Sequence, residues 1–248
     1  TDVLLDGLSK LEYRGYDSAG VALCVNDEIR VVKAQGRLAV LAEKLNGMPP
    51  MASHCGIGHT RWATHGAPSD VNSHPHCAAR VSLVHNGIIE NYVQIKEFLE
   101  SKGVGFVSQT DTEVVAQLLE YYYRGNIMEA VTKVLHRIEG AYALGIICAD
   151  CPDQLIAARK DSPLILGYGE GFNFLASDVT AVIKYTREVC YLEDGEIAVL
   201  TRDGIRVFNH PYLQPVEKEK HHVDWEVSAA EKGGYEHFMA KEIMEQPK

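Results

Sequence analysis

Residues 187–208 read REVCYLEDGEIAVLTRDGIRVF. Three runs of strand-forming residues, 187–192, 196–201 and 204–208, are separated by Glu193-Asp194-Gly195 and Arg202-Asp203-Gly204. Asp-Gly tolerates the positive φ of a tight turn, so the stretch predicts short strands joined by hairpins. Strands joined that way run antiparallel. The pattern extends upstream through 141–149, 154–159, 163–168 and 172–176, and it recurs near the start, where GVALCVN and EIRVVKA flank Asn26 and Asp27.

Helical patterns fall between these strands. Leu38, Leu41, Ala42 and Leu45 share one face of a short helix that stops at Gly47 and the Pro49-Pro50 pair. Amphipathic periodicity at 91–102, 111–123 and 127–138 predicts three more helices, with Asp111 and Thr112 as an N-cap. Residues 56–62 and 80–85 read as strands around a long polar loop, 63–78. Hairpin-linked strands with helices gathered in a middle block give an α+β design in which helical layers cover antiparallel sheets. From His210 the pattern weakens through Pro211, Pro215 and Gly233-Gly234 before a helical run, EHFMAKEIMEQPK, at 236–248. A domain over 1–210 and a linking segment over 211–248 are therefore expected.

Composition narrows the function classes. Lys and Arg total 24 against 34 Asp and Glu, a formal charge of −10, and no basic run offsets it. Such a surface repels phosphate backbones and anionic lipid, which argues against nucleic-acid or membrane partners. The six cysteines are sparse and irregularly spaced, unlike a disulfide framework, and the longest strongly apolar run, 141–149, is about half of what a bilayer span needs. A cytoplasmic location follows as the expectation. Leu4, Leu8 and Leu11 already recur at helical spacing at the start of the chain, so an element preceding Thr1 is also expected.

Six histidines (54, 59, 65, 74, 76 and 85) crowd about thirty residues of the chain beside Cys55 and Cys77. No metal motif matches their spacing, since Cys55 and His59 on one extended strand would stand roughly 13 Å apart. No metal is expected; His65, His74 and His76 read as loop scaffolding and substrate shaping. Cys148-Ala-Asp-Cys151 ends a strand where a redox motif would open a helix, and Gly167-x-Gly169-x-Gly171 lies between strands, as a hairpin turn would. Asn86-Gly87 reads first as a hairpin turn, although an amide beside a glycine N–H also offers two donors to one developing oxyanion. Arg61 suits a carboxylate clamp or a surface pair, and Asp111 an ammonium site or a cap.

Seven stretches in order, EYRGYDSAG (12–20), GHTRWATHG (58–66), NSHPH (72–76), HNGIIEN (85–91), TDTEV (110–114), EGAYAL (139–144) and SPLILG (162–167), resemble the glutaminase domain of the glucosamine-6-phosphate synthase family. The resemblance covers the chain to about residue 210, and the closing YEHFMAKEIMEQP resembles that family's junction with a sugar-isomerase half. It implies a class II amidotransferase with a four-layer αββα N-terminal-nucleophile hydrolase sandwich built on two antiparallel sheets, needing no cofactor. The implied reaction hydrolyses L-glutamine to glutamate and ammonia. The absent isomerase half of the same polypeptide would use the ammonia to convert fructose 6-phosphate to glucosamine 6-phosphate, as a homodimer.

By the same resemblance Asn86 and Gly87 form the oxyanion hole, Arg61 binds the glutamine α-carboxylate and Asp111 its α-ammonium. Trp62, Thr64 and His65 match a mobile loop over the substrate; Arg14, Asp17 and His74 match buried supports. The family's nucleophile is an N-terminal cysteine whose own α-amine acts as base, which places it upstream of Thr1. Cys55-Gly56-Ile57 imitates that opening, but an internal cysteine has no free α-amine. Three readings compete: a sibling amidotransferase with another acceptor, such as a phosphoribosyl donor; a glutamine-binding module that is catalytically silent; and a metal hydrolase built on the histidines.

Overall fold

Strand β1 (Ser18–Val25) is buried from Ser18 to Cys24. A strand buried on both faces must have a layer on each side. It is the middle of a three-stranded antiparallel sheet, between β2 (Glu28–Gln35) and β3 (Gly56–Arg61). The expected hairpin is present: Val25 pairs with Glu28, and Asn26 and Asp27 take φ of 50° and 61°, as a two-residue type I′ turn requires. The computed structural model describes residues 1–224 together with Ala240, Ile243 and Met244; the rest of the helical pattern expected at 236–248 lies outside the described residues.

The largest sheet has seven antiparallel strands in the order β13 (Gln214–Val216), β12 (Ile205–Asn209), β11 (Glu196–Leu200), β7 (Cys151–Lys160), β6 (Gly140–Cys148), β5 (Val81–Ile89) and β4 (His76–Cys77). A third sheet orders β14 (His221–His222), β10 (Glu188–Tyr191), β8 (Ile165–Tyr168) and β9 (Asn173–Ala176). Side chains alternate along β6. Leu144 and Ile146 face α3 (Tyr92–Glu100), α4 (Glu113–Tyr122) and α5 (Ile127–Leu135), where Leu99, Leu119 and Val131 are buried. Ala143 and Ile147 face the other way, toward Leu166 and Cys190 of the four-stranded sheet and toward Cys24 and Ile57 of the three-stranded one. On the far side α1 (Asp2–Ser9) and α2 (Leu38–Asn46) bury Leu8, Leu41 and Leu45 against β1 and β2. The result is a four-layer αββα sandwich with one β layer divided in two.

Gly145 shows where the division lies. A Cβ built there would meet Leu175 of β9 at 2.9 Å and Ile57 of β3 at 3.8 Å. Both strands are terminal in their sheets, so two unpaired edges flank one point of the sheet beneath.

Several sequence expectations need correction. Asn86-Gly87 is not a turn: β5 runs straight through it, with Asn86 opposite Ala143 and Gly87 opposite Tyr142. Gly87 is required for another reason, because at φ 133° a Cβ would lie 2.0 Å from the Ala141 carbonyl oxygen. Glu193-Asp194-Gly195 does turn the chain, with Gly195 at φ 77°, but β10 and β11 belong to different sheets. The bend is a corner between layers and not a hairpin. Arg202-Asp203-Gly204 and the Gly169–Gly171 segment are hairpin turns, joining β11 to β12 and β8 to β9. Cys148 and Cys151 close the β6–β7 corner as free thiols. The polar loop 63–78 ends in the short β4. Residues 214–216 and 221–222, beyond the expected boundary at 210, add β13 and β14 to the sheets. Thr112 takes the N-cap position of α4 without a side-chain capping bond, because its Oγ1 is engaged with His85 Nδ1 at 2.9 Å. No helix among the described residues is long and apolar enough to cross a membrane.

Candidate active site

Between the edges of β3 and β9 lies a cavity of about 450 Å³. Its floor is Val84, Ala143 and Gly145 of the seven-stranded sheet, and Leu4 and Leu8 of α1 reach it as well. Every residue matched by resemblance to the substrate and the oxyanion, Arg61, Trp62, Thr64, His65, Asn86, Gly87 and Asp111, lines this one cavity. They come from β3, the loop after it, β5 and the segment before α4.

Arg61 ends β3 and is 4% exposed. Its Nη2 donates to the carbonyls of His65 and of Gly66, the latter at 3.0 Å, which curls the 62–66 loop around the guanidinium. Nη1 stands 3.9 Å from Asp17 Oδ1 and is buried without a hydrogen-bond partner among the described residues. Burial lowers the basicity of the guanidinium, and the carboxylates of Asp17 and Asp111 oppose that shift. Asp111 is buried; its Oδ2 accepts from the Ile89 N–H at 2.8 Å, and its Oδ1 lies 4.0 Å from His65 Nδ1. A guanidinium with a spare donor and a buried carboxylate are thus held on either side of His65. That arrangement can read the two charges of an amino-acid zwitterion.

The loop itself is open. Trp62 is 61% exposed, its ring edge-on to Tyr16 at 5.7 Å, and Thr64 is exposed as well. Asp17 anchors the loop base by accepting from the Ala63 N–H. Arg14, expected as a buried support, is exposed; it donates to Ser177 Oγ at 3.1 Å and pairs with Asp178 at 3.6 Å, tying the segment before β1 to the end of β9. Its long side chain spans the gap at the surface and has no need to enter the core.

The histidines form a row in which His74 and His76 are buried and His59 is half-buried at the cavity wall. His59 and His74 stack edge to face at 4.3 Å, His74 and His76 at 4.9 Å, and His76 Nε2 reaches Thr110 Oγ1 at 3.1 Å. Burial holds His59 down to about 4 and keeps His74 and His76 well below the ordinary imidazole range, so the row is neutral near pH 7. Among the described residues no group of three or more His, Cys, Asp or Glu side chains is arranged to hold a metal ion. The sequence weighs His59 only as a metal ligand, yet it bonds Asn86 Oδ1 through Nε2 at 2.8 Å. The signal was available: His59 precedes Arg61 by two on one strand, so both share a face.

None of the described cysteines lines the cavity. Cys55 contacts the Gln154 carbonyl at 3.6 Å, and its thiol is raised far above the ordinary range by hydrogen bonding to Cys24 and by burial. A thiol so placed is not a nucleophile.

Comparison with known proteins identifies the family. Residues 59–184 match the model of the glutamine amidotransferase domain. Curated glutamine–fructose-6-phosphate aminotransferases (isomerizing) are 57% identical over 249 residues in Caldanaerobacter subterraneus subsp. tengcongensis and 53% identical over 249 residues in one strain of Thermus thermophilus; each alignment covers the whole of this chain. The chain spans 41% of the length of those relatives. Among solved structures, the glutamine phosphoribosylpyrophosphate amidotransferase from B. subtilis superposes with a TM-score of 0.73 at 25% identity, covering 84% of this chain and 46% of that one. The allosteric regulatory enzyme of purine biosynthesis superposes with a TM-score of 0.72 at 26% identity and the same coverage. The four-layer sandwich is the N-terminal-nucleophile hydrolase fold of such amidotransferases. With just over half of its length inside one family model, this chain belongs to the glutamine amidotransferase domain family.

Proposed function

We propose that the cavity hydrolyses the side-chain amide of L-glutamine, and that a sugar-isomerase half of the same polypeptide uses the ammonia to convert fructose 6-phosphate to glucosamine 6-phosphate. One observation carries the first part: Asn86, Gly87, Arg61 and Asp111 converge on a single cavity from separate segments of the chain. The relatives' names support the second part. The glutaminase unit expected over 1–210, with β13 and β14 paired onto its sheets, then precedes a segment that links it to the isomerase half, in a cytoplasmic homodimer.

The nucleophile is a cysteine on a segment preceding Thr1, seated as a strand between the unpaired edges of β3 and β9. Its thiolate adds to the glutamine Cδ, and the α-amine of that same residue takes the thiol proton. The tetrahedral oxyanion accepts from Asn86 Nδ2 and the Gly87 N–H. Collapse expels ammonia, which carries the proton away, and leaves a thioester; water adds to it, glutamate departs and the thiol is restored. Arg61 takes the substrate carboxylate and Asp111 the ammonium. Trp62, Thr64 and His65 close over the occupied cavity and keep bulk water out.

The full-length protein treated with a glutamine-analogue diazoketone and mapped by peptide mass gives the test. An adduct on a cysteine before Thr1 is the expected result. An adduct on Cys55, or none, overturns the reading.

A further inference from the structure

Asn86 presents a problem that its own side chain does not solve. The two ends of an amide are nearly isosteric, and rotation by half a turn exchanges acceptor for donor. Only the Nδ2 end stabilises an oxyanion, so something must hold that end toward the cavity. The partner at the other end is His59, whose Nε2 lies 2.8 Å from Asn86 Oδ1. Its second nitrogen, Nδ1, lies 3.1 Å from Nδ1 of His74, and His74 Nε2 is buried with no partner among the described residues.

Each neutral imidazole has one N–H and one lone pair, which leaves two self-consistent ways to place the protons. In one, Asn86 Nδ2 donates to His59 Nε2, His59 Nδ1–H donates to His74 Nδ1, and the row ends in a buried His74 Nε2–H with no acceptor. In the other, His74 Nδ1–H donates to His59 Nδ1, His59 Nε2–H donates to Asn86 Oδ1, and the row ends in a bare lone pair. The structure sets the Oδ1 end of Asn86 against His59 Nε2, which is the second arrangement. It is the one that turns Nδ2 into the cavity. The row cannot relax by tilting His74, because that ring is wedged edge-on between His59 and His76, and its carbonyl packs against Gly20, where a Cβ would come within 2.2 Å.

We infer that His59 is a positioning residue for the glutaminase reaction: held in its Nε2–H tautomer by His74, it fixes the Asn86 amide with its N–H₂ end facing the reacting carbonyl. The inference rests on Asn86 being an oxyanion donor. It assigns His59 no contact with glutamine and no proton transfer.

The test uses the full-length protein and steady-state glutaminase kinetics. His59→Leu lowers kcat by about 10- to 100-fold, the usual cost of losing an outer-shell orienting partner, with KM within about twofold. His59→Gln, which keeps a donor at the Nε2 position, stays within about threefold of wild type. In an Asn86→Ala background His59→Leu costs less than about twofold more, because a residue acting only through Asn86 has nothing left to orient. An additive loss in that background, or a His59→Gln as poor as His59→Leu, overturns the inference. So does a wild-type kcat for His59→Leu when Asn86→Ala alone is crippled; a wild-type kcat for Asn86→Ala overturns the oxyanion reading itself. Should His59→Leu not fold, ¹⁵N spectra of histidine-labelled wild-type protein decide the matter. Nε2–H on His59 with Nδ1–H on His74 supports the inference, and the opposite pair of tautomers overturns it.

Discussion

Arg61 holds more of the site together than any other side chain. It shapes the loop through the His65 and Gly66 carbonyls and keeps Nη1 in reserve beside Asp17. An ammonium has neither the fork nor the reach for both tasks. Arg61→Lys therefore raises KM for glutamine by about tenfold or more, since a hydrogen bond to a charged group is worth about 1.5 to 3 kcal/mol. Asn86→Ala should lower kcat by about 10²- to 10³-fold, the cost of one oxyanion donor; glutaminase assays check both. The buried histidines add a pH dependence. His59 titrates near 4 in the fold, against about 6.5 when exposed. A base whose folded value is depressed prefers the unfolded chain when protonated, so its contribution to stability is whole above about 6.5 and is lost as the pH falls toward 4. Melting temperatures measured from pH 7 to pH 4 should fall across that interval; a flat profile would mean that the row is hydrated.

At the scale of elements, much of the fold was legible and the exceptions are instructive. The β1–β2 hairpin could be read because its turn is local, with Asn26 and Asp27 tolerating positive φ and two residues closing the loop. Asn86-Gly87 has the same chemistry but lies within a strand, because nine consecutive residues of β5 find partners on β6. Glycine there answers to the neighbouring Ala141 carbonyl, which no local pattern reveals. The corner at 193–195 misled for a related reason. A turn residue reports that the chain bends; whether the next strand pairs with the last or departs for another sheet depends on distant partners. Caps are local again. Asn126 Oδ1 accepts from the Met128 and Glu129 N–H groups at 3.1 and 3.3 Å at the start of α5. Asn126→Ala should cost about 1 kcal/mol in urea unfolding and leave glutaminase activity untouched.

At the scale of the molecule, hairpins and helix periodicity led to helical layers covering antiparallel sheets, the αββα order came only with the family resemblance, and neither local pattern led to the convergence of the site. Arg61, Asn86 and Asp111 have ordinary separate readings, and only the packing of β3, β5 and the α4 start around one cavity joins them. The division of one β layer was also invisible, because an unpaired edge has the same composition as a paired one. If a strand occupies the gap in the full-length protein, the backbone amides along the facing edges of β3 and β9 exchange slowly with solvent deuterium. Rapid exchange at both edges would show the gap open.

The corners between sheets bear on how the domain comes apart. The chain leaves the seven-stranded sheet after β7, returns to it at β11, and leaves again between β13 and β14. Three passes lace the two faces like thread through cloth, so neither can peel from the other without pulling a strand out of register. The cavity proposed to take glutamine lies in the seam, and the lacing holds the spacing of that seam constant beneath the exposed loop.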